Sequence, residues 1–236
     1  MSSIKIIPEG KGLGSRTLIA GFHGIGATGY WSVKFLIEEL KAVREFYIDS
    51  EFAPAVSSTL NDRISTPYEL FSSGDLALLK ADVPPLRENE NRFFRELGQW
   101  IVGSNVREVA LIGGLDESLR SDDSKYRIVL TDAMARTGEF NGEPVLEEGR
   151  MIVGPVAILL NTLQMYDVPA FALLAYSNTE RVDPRASAWA VEFLAKRYKI
   201  NISTAPLIKG AEELEKELMG MAQKEKEHGP SSAIYS

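Results

Sequence analysis

Short, almost wholly apolar runs alternate along this chain with longer stretches in which apolar residues recur at helical spacing. Arg16-Thr17-Leu18-Ile19-Ala20-Gly21-Phe22 is a run of the first kind and predicts a buried strand. Thr28 to Lys41, with Trp31, Phe35, Leu36 and Leu40 on one stripe, predicts the helix that follows it. Arg44 to Ile48 predicts a second strand and Asp75 to Lys80 a third. Glu90 to Val102 predicts a helix whose Phe93, Phe94, Leu97 and Ile101 face inward. Between these, Thr66-Pro67-Tyr68-Glu69 has capping-box spacing with proline at the first helical position, which predicts a short helix or turn. The second half repeats the alternation: a strand over Val106 to Ile112 ending at Gly113-Gly114, a polar loop, and a strand over Tyr126 to Thr131. A helix from Gly154-Pro155 through Tyr166, a strand over Ala170 to Tyr176 and a helix over Pro184 to Tyr198 follow, with a last helix from Ala211 to about His228.

Strands alternating with helices predict an α/β fold with a largely parallel sheet covered on both faces. No internal repeat, long linker or break in composition divides the chain, so the expectation is one α/β domain over 1–210, a charged amphipathic helix over 211–228 and a loose tail over 229–236. In that last helix Ala211, Leu214, Leu218, Met221 and Ala222 make a narrow apolar stripe and acidic and basic residues cover the other sides. It reads as a helix docked on the domain by one face, or as an arm that presents the tail.

Composition narrows the function classes. At 236 residues, with 44% hydrophobic and 25% charged residues, the chain has ample material for a core. A net charge of -7 argues against a nucleic-acid holder, which needs a basic face. The absence of cysteine removes disulfides, thiolate catalysis and cysteine-ligated metals. Met1-Ser2-Ser3-Ile4-Lys5 lacks the apolar core of a signal peptide, and no apolar run is long enough to span a bilayer, so the expected location is the cytoplasm.

The strongest enzyme signal is Gly24-Ile25-Gly26-Ala27-Thr28-Gly29, which satisfies the dinucleotide fingerprint, follows a predicted strand, opens a predicted helix and is followed by Asp49 at the end of the next strand. Gly24, Gly26 and Gly29 would let the backbone approach a pyrophosphate while Asp49 holds a ribose hydroxyl. Glycines are also what a tight strand-to-helix turn needs on steric grounds alone, and that scaffold reading leads. His23 is the one histidine in the predicted domain, at the carboxyl end of the first strand, yet neither a nucleophile elbow nor a second core histidine accompanies it. Asp116, Glu117, Asp122 and Asp123 crowd one loop in a spacing that matches no calcium loop, so a solvated acidic loop is the expectation and no metal is assigned. Asp183-Pro184 reads as a helix cap with proline behind it, and no P-loop lysine motif occurs.

Ile234-Tyr235-Ser236 closes the sequence after the helix stop and spacer Gly229-Pro230-Ser231-Ser232-Ala233. An aliphatic plug, an amphipathic ring with a hydroxyl and a free carboxylate each suit one part of a narrow pocket. The pattern resembles the hydrophobic-tyrosine-any docking motif of proteasome regulators and assembly factors. Gly21-Phe22-His23-Gly24-Ile25-Gly26, Gly113-Gly114, Gly154-Pro155-Val156-Ala157-Ile158-Leu159-Leu160 and Val182-Asp183-Pro184-Arg185-Ala186, in that order, resemble the proteasome assembly chaperone family, in particular its archaeal homo-oligomeric members. The resemblance implies a non-enzymatic, ATP-independent protein without cofactor, nucleic acid or membrane partner. Its expected fold is a three-layer α/β/α with a mixed central sheet like that of nucleoside phosphorylases. The implied partners are the α-subunits of the proteasome core particle and other copies of the chain, as tetramer or pentamer. Ile234 would fill an apolar pocket between adjacent α-subunits, Tyr235 would pack its ring and bond its hydroxyl, and the Ser236 carboxylate would pair with a lysine. The alternative is a nucleotide- or dinucleotide-binding enzyme built on the Gly24-x-Gly26-x-x-Gly29 turn.

Overall fold

The structure, a computed structural model, describes residues 3–60 and 62–213. The predicted helix beyond residue 213 and the tripeptide Ile234, Tyr235 and Ser236 lie outside the described residues. In chain order the elements are β1 (Ile4–Ile7), β2 (Thr17–Gly21), α1 (Thr28–Glu39), β3 (Val43–Ser50), β4 (Ser58–Leu60), β5 (Arg63–Ser65), β6 (Tyr68–Ser73) and β7 (Leu76–Ala81). They continue with α2 (Glu90–Gly103), β8 (Glu108–Asp116), β9 (Tyr126–Leu130), α3 (Asp132–Ala135), α4 (Gly154–Met165), β10 (Ala170–Ser177) and α5 (Pro184–Tyr198). A further helical stretch occupies 205–213, so the last helix starts ahead of its predicted position, with Pro206 in its first turn.

Among the described residues eight strands form one sheet in the order β1-β3-β6-β7-β2-β8-β10-β9, and β4 and β5 make a separate hairpin. The centre is parallel, β2 pairing with β7 and β8, and β8 with β10. Both flanks are antiparallel, β1-β3-β6-β7 on one side and β9 on the other. Side chains alternate across the sheet: Leu18 and Ala20 enter the layer that α2 and α4 cover, while Ile19 enters the layer of α1 and α5. Two helical layers explain why the central strands read as continuous apolar runs, and they make the fold the expected α/β/α arrangement with a mixed sheet.

At Thr66-Pro67-Tyr68-Glu69 the predicted helix or turn is a turn that enters β6. The capping-box bond does form, Thr66 N donating to Glu69 Oε1 at 2.8 Å, but Tyr68 onward is strand. A strand sends Leu70 into one core layer and Phe71 into the other. Burying both is worth on the order of 2 kcal/mol each, against about 1 kcal/mol for a helix cap. The two-residue turn Gly74-Asp75, with Gly74 at φ +55°, then returns the chain into β7.

Candidate functional site

Four segments distant in sequence meet at the carboxyl ends of the parallel strands. After β2 the chain makes a tight turn in which Ala27 N donates to Gly24 O at 2.8 Å, and Gly26 holds φ +60°. The Gly26 carbonyl accepts from Asp183 N at 2.9 Å. A Cβ on Gly26 would lie 1.8 Å from Ser177 Oγ, and one on Gly114 would lie 2.2 Å from the Ile25 carbonyl oxygen. Thr28 Oγ1 donates to Ser177 Oγ at 3.1 Å, behind the turn. Asp183 caps α5, its Oδ1 accepting from Arg185 N and Ala186 N at 3.1 and 3.0 Å and its Oδ2 from Asn178 N at 3.0 Å. Pro155 borders a small hollow of about 20 Å³ together with Phe22 and His23. Gly21–Gly26, Gly113-Gly114, Gly154-Pro155 and Val182–Ala186 therefore converge, and the chain itself fills the space between them.

That filling bears on the dinucleotide alternative. The crevice where such sheets bind ligands lies between strands whose connections leave in opposite directions, here β2 and β8. It is occupied by Ile25 against Gly114. Asp49 stands exposed on β3, in register with Lys5, and β7 and β6 separate β3 from β2. Three inter-strand steps put it about 14 Å away, too far to share a ribose with the turn. Gly26 and Gly29 serve packing, a Cβ on Gly29 falling 2.3 Å from the Ile112 carbonyl oxygen.

His23 is exposed; its Nε2 lies 2.9 Å from the Asp82 carbonyl oxygen and its ring stacks on Tyr30 at 4.1 Å. The polar network beside it escaped the sequence analysis. Lys80 and Glu69, both buried, face each other across β6 and β7. Lys80 Nζ donates to Ser65 Oγ at 2.9 Å, to Thr66 O at 3.3 Å and to Asp82 Oδ2. Glu69 also receives Arg44 at 3.0 Å. Tyr30 donates its hydroxyl to Asp82 Oδ1 at 3.3 Å, and burial, followed by the Asp82 carboxylate, pushes that hydroxyl up to about 12. The network borders a cleft of about 370 Å³ under the β4–β5 hairpin. Three acceptors take up the donors of Lys80 Nζ, so its role is to tie the β6–β7 hairpin to the turn before it. The sequence signal that could have found it was two apolar runs, each carrying one charge of opposite sign, around Gly74-Asp75.

The acidic loop also has a structural account. Arg127, on β9 and buried, donates to both carboxylate oxygens of Asp122 at 3.2 and 3.0 Å and to Glu147 Oε1 at 3.0 Å. The Arg127 guanidinium, then the Ser124 backbone N–H, pull the Asp122 carboxyl down to about 2. Asp116 accepts from Ser118 N at 2.8 Å, and Glu117 from Asn178 Nδ2 at 3.0 Å. Among the described residues no group of three or more acidic or histidine side chains is placed to hold a metal, and no helix is long and apolar enough to cross a membrane.

Comparison with known proteins places this architecture. No curated protein matches the sequence. Among solved structures, Pyrococcus furiosus PbaA, an archaeal homologue of proteasome-assembly chaperone, is similar at TM-score 0.82 and 25% identity, over 96% of this chain and 94% of that one. P. furiosus PbaB, an archaeal proteasome activator, is similar at TM-score 0.74 and 20% identity, over 94% and 100%. A PAC2 family protein from Streptomyces avermitilis is similar at TM-score 0.64 and 19% identity, over 89% and 97%; the last two likenesses establish the shared fold. The PAC2 family model matches residues 18–222, and with most of the sequence inside that match the chain belongs to the PAC2 family.

Proposed function

We propose that this chain is an ATP-independent, non-enzymatic proteasome-binding protein, an assembly chaperone or activator-like factor of the cytoplasm. In this reading Ile234-Tyr235-Ser236 inserts between α-subunits of the core particle. The observation that carries the reading is the likeness to PbaA over nearly the whole chain, in a PAC2 protein whose last residues have the hydrophobic-tyrosine-any pattern. The filled glycine turn supports it from the other side, because the nucleotide alternative depended on that turn being open.

Affinity in this reading comes from number. A three-residue plug recovers only part of the cost of ordering its own segment. A homo-oligomer, tetramer or pentamer, holds several tails together and raises avidity by roughly 100-fold to 10,000-fold when they engage at once. The test is a pull-down on purified core particle with the full chain and with a chain lacking residues 234–236, both checked for unchanged oligomeric state. Binding lost with the tripeptide is the expected outcome. Equal retention of both forms refutes the plug, and no retention of either refutes the proteasome reading.

A further inference from the structure

The cleft under the β4–β5 hairpin is open where the glycine turn beside it is filled. Its volume, about 370 Å³, is that of a small-molecule site, and Asp82 and Val83, just past the end of β7, line it. Strand β7 runs parallel to β2, so this is the end of the sheet at which α/β folds hold their ligands. Ile37, Val56, Leu60 and Val83 give apolar walls, and Tyr30, Ser58 and Asp82 give a polar one.

The bonds already made decide what the polar wall can still take. Lys80 Nζ and Ser58 Oγ donate to Asp82 Oδ2, the second at 3.3 Å, and Tyr30 donates to Oδ1 at 3.3 Å. A hydroxyl has one hydrogen and a carboxylate has none. The capacity left on this wall is therefore acceptor capacity, at Asp82 Oδ1, the Tyr30 hydroxyl oxygen and Ser58 Oγ. His23 holds the wall in place before anything binds, its ring stacked on Tyr30 at 4.1 Å and its Nε2 2.9 Å from the Asp82 carbonyl oxygen.

The mouth offers the opposite chemistry. Lys34, one helical turn after Tyr30 on α1, places Nζ 6.0 Å from the centre of the Tyr30 ring, and among the described residues it pairs with no carboxylate. Glu38, a further turn on, also lines the cleft and offsets Lys34 in charge. Deeper in, Arg44 and Lys80 balance Glu69 and Asp82. An occupant thus needs a donor at one end, an anionic acceptor at the other and no net charge. A phosphate would call for donors at the wall, where those of Lys80 are taken, and a polyamine would meet Lys34. The amino and carboxylate groups of one amino acid, with a hydrogen bond at each end, span about 8 Å, which suits an acceptor wall and an ammonium one ring apart. We propose that the cleft is a binding site for a free aliphatic amino acid, its ammonium on Asp82, Tyr30 and Ser58, its carboxylate on Lys34 and its side chain against Ile37, Val56 and Leu60. Ser58 and Leu60 belong to the hairpin, so the occupant touches roof and floor at once.

The experiment is saturation-transfer NMR on the full chain with L-leucine, L-isoleucine and L-valine. Two further probes, 3-methylbutylamine and 4-methylpentanoate, keep only the ammonium or only the carboxylate of leucine. At least one of the amino acids is expected to bind, and each single-charge analogue to bind roughly 10-fold more weakly or worse, the loss of one charge-assisted hydrogen bond. Lys34→Ala is expected to weaken binding as much, with an unchanged circular dichroism spectrum. Lys125→Ala, at an exposed lysine bordering another cleft, is expected to leave binding unchanged. Should Lys34→Ala fail to fold, Lys34→Gln keeps most of the stem without the charge and takes its place. Absence of binding by all three amino acids at about 10 mM overturns the proposal. So does equal binding of either analogue, or a folded Lys34 variant that binds as the unmodified chain does. A chain lacking residues 234–236 is expected to bind the amino acid as the full chain does, so this site stands or falls apart from the core-particle pull-down.

Discussion

Gly26 and Gly24 occupy the same turn and answer to different forces. Gly26 holds φ +60°, and its missing side chain leaves the space that Ser177 Oγ takes. Gly24 is extended, at φ -171°, with nothing within 4 Å of where a Cβ would stand. Gly26→Ala is therefore expected to cost about 2–5 kcal/mol, the sum of left-handed backbone strain and overpacking. Gly24→Ala should change stability by about 0.5 kcal/mol or less. Urea denaturation of the two variants checks this, and equal effects would contradict the packing account of the turn. Asp122 makes the second prediction at this scale. Its carboxyl is depressed, so the Arg127 contact is fully present above the unfolded value of about 3.9 and is lost as pH falls toward about 2. An NMR titration of the Asp122 side chain should show a midpoint near 2. A midpoint at the ordinary aspartate value would mean that Arg127 does not hold it.

Helix α5 shows how an element gets its position. Asp183 bonds the first turn of the helix and the Asn178 backbone through its two oxygens, while its own N–H reaches the Gly26 carbonyl. One residue thus joins α5, the end of β10 and the turn before α1. Asp183→Ala should destabilise the protein by about 1–2 kcal/mol, the upper range of cap losses, because Asn178 N loses its acceptor as well. Asp183→Asn, which keeps a capping oxygen, should recover most of it. A thermal unfolding series of the two variants tests the assignment, and identical losses would show that the cap is not the cause. The β6–β7 hairpin has a comparable internal tie in Glu69, Lys80 and Asp82, with Arg44 of β3 added from the neighbouring strand.

On the scale of the whole molecule, the docking reading depends on the number of tails held together as well as on each plug. The terminal Ile234-Tyr235-Ser236 is the plug of the docking reading. A variant that no longer assembles should therefore bind the core particle more weakly in a pull-down even though every plug remains, and removing the plugs should leave the oligomer intact.

The alternation of apolar runs with helical stripes determined the α/β class and the central strands β2, β7, β8 and β10, because strands buried on both faces announce themselves by near-uniform apolar composition. The same pattern placed α1, α2, α4 and α5, and the order of Gly21–Gly26, Gly113-Gly114, Gly154-Pro155 and Asp183-Pro184 was legible as a family pattern. Only the tertiary structure decided what those motifs do. The fingerprint of Gly24, Gly26 and Gly29 is equally consistent with an open phosphate cradle and a filled turn, and the difference lies in Ser177, Ile25 and Asp183, which local spacing cannot place. Strands β1 and β6 stayed hidden for a related reason. Ile4–Ile7 is too short for its alternation to stand out, and a capping-box pattern masked the start of β6 until burial of Leu70 and Phe71 in opposite layers outweighed it. Local periodicity specifies which elements form. Sheet order and the Lys80 network arise from contacts between residues far apart in the chain.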